Sequence, residues 1–143
     1  MFFRRYRALV ILGLGFAVIA VLTLYFQQIK LDQLQNELSK VELQNVRIGA
    51  GISNDKLGTA IFGEIFNNGE HIINIAVMNV KFFSEDGEAA VEHKFFPVNK
   101  FSFTDSLPLK PGQSKEFGFP IDDIVPEDWD GTFAAKLTDL TFK

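Results

Sequence analysis

The sequence predicts a mainly β protein: a β-sandwich of about seven strands, preceded by a transmembrane helix that continues into a short amphipathic stalk helix. Three observations predict it. Ala8–Phe26 is a run of nineteen residues with no charge, no Pro and no amide side chain. Gln27–Asn45 has apolar residues at helical spacing. From Val46 onward apolar residues alternate with a period of two, interrupted at short intervals by Gly, Pro and Asn turns.

The uncharged run sets the organisation of the chain. At ~1.5 Å per residue, a helix of this length covers the hydrocarbon core of a bilayer. Only a helix crosses there, because its backbone groups satisfy one another without water. A cleaved signal peptide is the competing reading. It wants small residues in an Ala-x-Ala pattern, whereas Ala17 and Ala20 are three apart. The chain has no Cys, so a lipid-modified Cys is excluded. The expected organisation is a basic tail over residues 1–7, a transmembrane helix over 8–26, a helical stalk over 27–45 and an extracytoplasmic domain over 46–143.

Charge orients this arrangement. Arg4, Arg5 and Arg7 precede the apolar run with no acid among them. Eleven Lys and Arg face all eighteen Asp and Glu after it, a net −7. Basic residues stay on the cytoplasmic side. The N-terminus is therefore expected in the cytoplasm and the C-terminal domain outside it, in the periplasm if the cell is Gram-negative. A domain at −7 is expected to bind nucleic acid and anionic lipid surfaces poorly, and no nucleic acid is expected as a partner.

The stalk stretch contains no Gly or Pro and is rich in helix formers. Leu31, Leu34, Leu38 and Val41 are spaced three, four, three, with Leu24 and Asn45 one step beyond at either end. Such a seam suits a short coiled coil or an amphipathic helix packed on a neighbour. In a parallel homodimer Glu37 would face Glu42 of the second copy. That repulsion favours a different partner helix. These four apolar residues are the candidate partner-binding site.

Strands follow in order. Val46-Arg47-Ile48 opens one that Gly49-Ala50-Gly51 loosens. Thr59–Phe66 alternates, and Asn67-Asn68-Gly69 supplies a turn through residues that tolerate positive φ. Ile72–Phe83 is the longest candidate. Ser84-Glu85-Asp86-Gly87 closes a hairpin to Glu88–Val98. Phe101-Ser102-Phe103 reads as a short edge strand, Ser114–Ile121 as a strand ending near Pro120, and Thr132–Phe142 as the last.

Gly63-x-x-Phe66-Asn67-x-Gly69, the strand ending Val80-Lys81-Phe82-Phe83, Glu85-Asp86-Gly87, the Leu109-x-Pro111-Gly112 turn and Phe117 together resemble the FxLYD-type extracytoplasmic domains of bacteria. More distantly they are similar to late-embryogenesis-abundant and water-stress domains, a resemblance that implies an immunoglobulin- or fibronectin-like sandwich. The resemblance covers roughly Val46 to Lys143. The Phe-x-Leu-Tyr-Asp element itself is absent, and Val80-Lys81-Phe82-Phe83-Ser84 stands nearest its place. The resemblance implies a tethered or secreted module without catalytic residues.

Chemistry has few footholds. Nucleophilic catalysis needs a base held beside the nucleophile, and the chain has two His and no Cys. His71 and His93 are far apart in sequence and read as surface residues. Asp122, Asp123, Glu127, Asp128 and Asp130 form an acidic cluster, and Asp128-Trp129-Asp130-Gly131 partly resembles a calcium loop without its full ligand ladder. The favoured reading is a solvated loop whose Asp residues bond backbone groups in turns. No enzyme activity, cofactor or metal is expected. The expected function is a membrane-anchored interaction or structural module, an accessory subunit or scaffold of a membrane or cell-envelope complex. The alternative is a binding module for a small molecule, lipid or ion.

The orientation has a direct test. Single Cys residues placed at Ser39 and Asp86 react with a membrane-impermeant thiol reagent in intact cells or spheroplasts. Protection of both until lysis would reverse the orientation.

Overall fold

The computed structural model describes the backbone of residues 2–53 and 55–143 and the side chains of 14–52 and 55–143. Met1, the first residue of the basic tail, lies outside the described residues. Two compact units divide at Asn36/Glu37. The first is helical. Helix α1 (Phe2–Leu38) runs 37 residues, and its Leu14–Leu38 portion is long and apolar enough to cross a membrane. Every described side chain from Leu14 to Phe26 is exposed, as a lipid-facing segment would leave them.

The helix ends earlier than the expected stalk. Leu38 is its last residue, and Lys40 N–H donates to the Glu37 carbonyl at 3.1 Å in a closing turn. Strand β1 (Val41–Ser53) follows at once. Val41 is therefore not a stalk residue: it is buried in the β unit, paired with Asn67. The three-four-three spacing misled because Val41 stands three residues after Leu38, across the closing turn. β1 also carries a bulge: Asn45 takes φ 54°, and the register slips between Gln44 and Arg47. The extra residue breaks the period of two and so hides the start of the strand. Gly49-Ala50-Gly51 does not end the strand, whose register runs on to Ser53 opposite Lys56.

The second unit contains six strands: β1, β2 (Lys56–Asn67), β3 (Ile73–Ser84), β4 (Ala89–Asn99), β5 (Ser114–Pro120) and β6 (Trp129–Phe142). They form two antiparallel three-stranded sheets, β1-β2-β5 and β4-β3-β6. The chain builds a hairpin in the first sheet and a hairpin in the second. It then returns one strand to each, beside the central β2 and β3. The expected seventh strand at Phe101–Phe103 is a turn instead. Ser102 N–H bonds the Asn99 carbonyl, and Phe101 N–H bonds the Asn99 side chain, so the backbone curls rather than pairs.

Alternation decides the core. In β3, Ala76, Met78, Val80 and Phe82 are fully buried while Lys81 between them is exposed. In β2, Ile61 and Ile65 do the same. Gly63 lies between these two on the inward face. Its missing side chain admits the Phe117 ring, since a Cβ there would stand 2.6 Å from the ring tip. Phe117 stacks on Phe119 at 5.6 Å between ring centres, and Phe119 on Phe95 of β4 at 4.9 Å. That last pair joins the two sheets. Gly87 takes φ 80°, as the β3–β4 hairpin requires.

The crossing from β2 to β3 turns on Asn67, which is 1 % exposed. Its side-chain amide donates to the carbonyls of His71 at 2.8 Å and Leu109 at 3.1 Å, and its side-chain oxygen accepts from Gly69 N–H at 3.0 Å. Its backbone N–H donates to Gln113 O and its carbonyl accepts from Gly112 N–H. Neither Asn67 nor Asn68 adopts positive φ. The turn is made by side-chain bonding rather than by left-handed backbone.

Two substitutions test this packing. Asn67→Ala leaves Gly69 N–H and the His71 carbonyl without their side-chain partner, strips the Leu109 carbonyl of one of its two bonds, and should cost about 1–3 kcal/mol. Gly63→Ala drives a methyl into Phe117 and should cost about 1–3 kcal/mol. Urea unfolding of the full chain in detergent, followed by Trp129 fluorescence, reads both. Wild-type midpoints would refute the corresponding role.

Candidate functional site

The segment from Asn99 to Lys115 joins β4 to β5 and lies at the end of the sheets where the chain arrives from α1. Its hydrogen bonds place it there. Lys100 N–H donates to Asn74 O, and Ile73 and Leu109 exchange both backbone bonds at 2.9 Å. Asn67 reaches Leu109 and Gln113, while the adjoining Asn68 N–H donates to Lys40 O at 2.9 Å. One buried amide and its neighbour thus connect this loop to the start of β1.

A ladder of short polar side chains shapes the loop. Asn99 Oδ1 accepts from Phe101 N–H, Ser102 Oγ from Thr104 N–H, and Asp105 Oδ1 from Leu107 N–H. Lys115 of β5 fastens it, with Nζ 3.0 Å from Asp105 Oδ2 and 3.3 Å from Leu107 O. Hydrogen bonds from Lys115 and from Leu107 N–H hold the Asp105 carboxyl below the usual carboxylate range. The result is an ordered loop that displays apolar side chains: Phe101 is 69 % exposed, Phe103 107 % and Leu107 72 %. Each forgoes the ~1.5–3 kcal/mol that burial of such a side chain provides. Lys100 Nζ lies 4.9 Å from the Phe101 ring centre. A rigid display of this kind suits contact with an apolar surface outside the chain.

The opposite end of the sheets holds a cleft of about 670 Å³. Phe62, Gly51, Gly118 and Pro120 line it, Ile52 and Leu57 stand at its rim 78 % exposed, and Asp122 and Asp123 border it. The Arg47 guanidinium carbon is 5.8 Å from the Phe62 ring centre. Asp122 is already engaged: both of its oxygens lie 2.9 Å from Thr59 N–H. Asp130 behaves in the same way. Asp130 Oδ1 accepts from Thr132 N–H at 2.7 Å and from its hydroxyl at 2.6 Å, and these bonds lower the Asp130 pKa. Asp128 uses its backbone carbonyl to accept from Glu85 N–H. Among the described residues, no three His, Cys, Asp or Glu side chains converge as metal ligands. His71 and His93 are both exposed, each against an aromatic ring, Phe142 at 5.6 Å and Phe95 at 4.8 Å.

Of the predicted stalk site, Leu31, Leu34 and Leu38 share α1, with Leu31 53 % exposed and the other two half-buried. Val41 is separated from them in β1. Glu37 is paired with Lys40 of its own chain at 2.9 Å, and Glu42 lies in β1. The expected Glu37–Glu42 clash between parallel copies therefore has no basis in this geometry. Sequence reasoning missed the Phe101–Phe103–Leu107 display. Its signal was present in the way Asn, Ser, Thr and Asp, which bond nearby backbone, interleave with the apolar residues. No family model, curated protein or solved structure matches the chain.

The Asp105 fastening gives a pH prediction. The folded pKa is lowered, so the contribution of this pair is present above the unfolded value and is lost as pH falls through the folded one. Hydrogen exchange at the Leu107 amide should stay protected until the pH drops below the usual carboxylate range, about 4. Asp105→Asn should expose it at every pH. Equal protection in both proteins would remove the role assigned to Asp105.

Proposed function

We propose that this chain is a membrane-anchored, non-catalytic interaction or structural module, an accessory subunit or scaffold of a membrane or cell-envelope complex. Its N-terminus is cytoplasmic and its β unit extracytoplasmic. The observation that carries this reading is one continuous helix, apolar from Ala8 to Phe26 and then striped with Leu31, Leu34 and Leu38 up to the β unit. The apolar part supplies an anchor, and the Arg4, Arg5 and Arg7 cluster ahead of it supplies the orientation. The stripe supplies a surface just beyond the bilayer that a partner helix covers. The two three-stranded sheets are compatible with an immunoglobulin- or fibronectin-like sandwich, and with the FxLYD-type resemblance that implies a tethered module. With Glu42 withdrawn into β1, charge no longer disfavours a second copy as the partner.

The cleft beside Phe62 favours a second reading, a binding module for a small molecule, lipid or ion. Its lining mixes Phe62 and Pro120 with Lys56, Asp122 and Asp123, and it opens to solvent at the Ile52–Leu57 rim, where both side chains are mostly exposed.

Changing Leu34 and Leu38 together to Ser should release the stalk partner while the β unit stays folded and the anchor stays inserted. Co-purification from detergent-solubilised membranes reads the loss. Disulfide crosslinking of Leu34→Cys identifies the partner as a second copy or a different chain. An unchanged set of co-purifying proteins and no crosslink would overturn the stalk as an interaction surface.

A further inference from the structure

We infer that the loop from Lys100 to Pro108 is a bilayer contact. Phe101, Phe103 and Leu107 seat in the headgroup–acyl boundary of the membrane that α1 crosses, an inference that rests on reading α1 as an anchor. Four observations carry it. The loop is ordered by its own turns and by the Lys115–Asp105 pair, so the exposure of its apolar side chains is built in. It lies at the end of the β unit where the chain arrives from α1, joined through Asn67 and Asn68 to Leu109 and Lys40.

The third observation is reach. Only residues 27–40 separate the apolar run from the β unit. At ~1.5 Å per helical residue they hold that end within about 20 Å of the bilayer surface. Such a tether keeps the loop at a local concentration in the millimolar range, where weak lipid contacts suffice.

The fourth is charge. The near end, residues 37–42, 66–73, 99–115 and 141–143, carries five Lys against four acids. The far end, residues 55–59, 84–89 and 121–131, carries nine acids against Lys56 alone. An anionic surface repels the far end and accepts the near one. The aromatic tips with Lys100 and Lys110 beside them match an interface, where rings enter the acyl boundary and lysines reach back to the headgroups. The site is a protruding loop. A fluid bilayer buries such a tip without a complementary groove, which a protein partner would have to provide.

The chain has no Cys, so one introduced thiol is a unique label. The full chain is reconstituted in phosphatidylglycerol–phosphatidylcholine vesicles with an environment-sensitive nitrobenzoxadiazole dye at Phe103→Cys or at Asp86→Cys, the far-end control. Leu107→Cys serves as a second near-end site. Near-end labels should show blue-shifted emission that doxyl-labelled lipids quench, and the Asp86 label should show neither. Near-end emission matching the Asp86 control, in vesicles whose protein resists alkaline carbonate extraction, overturns the loop contact and leaves the anchor standing. Extraction of the protein by carbonate overturns the anchor itself. A photo-crosslinker at Phe103 that captures a protein rather than lipid in native membranes also overturns the inference.

Discussion

The near end of the β unit depends on one buried amide. Asn67 ends β2, and the chain must then leave one sheet, cross to the other and begin β3 six residues later. Such a crossing exposes backbone groups that no ladder satisfies. The Asn67 side chain satisfies two of them at once, at Gly69 and His71, adds a second bond to the Leu109 carbonyl that Ile73 N–H already pairs, and its own backbone pairs with Gly112 and Gln113. Each bond on its own is modest, but a buried group left unmade is costly. The amide therefore acts as a junction at which four segments meet, and the long β4–β5 connection is held in place because Leu109 belongs to it. Without this junction the apolar loop would have no fixed position to display from.

The second constraint is steric. Gly63 faces inward between Ile61 and Ile65, and the space its side chain leaves is filled by Phe117. From there aromatic contact runs through Phe119 to Phe95 of the other sheet. A protein with sixteen Phe has enough aromatic surface for a core, but composition does not say where each ring goes. Phe82 and Phe117 are buried, whereas Phe101 and Phe103 stand in solvent. What separates them is the neighbouring backbone. Rings on paired strands share a face with other apolar residues, while rings in a loop of Asn, Ser, Thr and Asp are turned outward by the bonds those side chains make.

That difference explains how much the sequence reveals. β2 and β3 are the central strands, flanked on both sides, so their inward residues are apolar between the strand ends, where buried Asn67, Asn74 and Ser84 stand, and the alternation is clean. The hairpin at Gly87 and the strand end at Pro120 are equally legible, because positive φ and a missing N–H act locally. Edge strands reveal less. β1 pairs on one side only, and its bulge at Asn45 costs the pattern one residue. Val41, three residues after Leu38, also falls in phase with the leucines of α1, although a turn at Ser39-Lys40 separates them. Phe101-Ser102-Phe103 fails in the opposite sense. It has the composition and period of a strand but no partner strand, and pairing is a property of the whole fold rather than of three residues. The candidate contact loop was hidden by that same misreading.

Net charge conceals an arrangement in the same way that composition conceals the placement of rings. The −7 that follows the apolar run reads as a uniformly acidic domain, unsuited to any anionic surface. The fold distributes it otherwise. The antiparallel strands place the 84–89 hairpin and the 121–131 segment at one end, and the 99–115 segment with Lys40 at the other. Nearly all of the excess acid lies at the end remote from α1. Screening limits the range of charge to about 10 Å at ordinary ionic strength, which is shorter than a strand of eleven residues at ~3.3 Å each. A surface close to the near end therefore feels the lysines of that end and very little of the acid beyond. The sign that governs contact is local, and it is opposite to the sign of the whole.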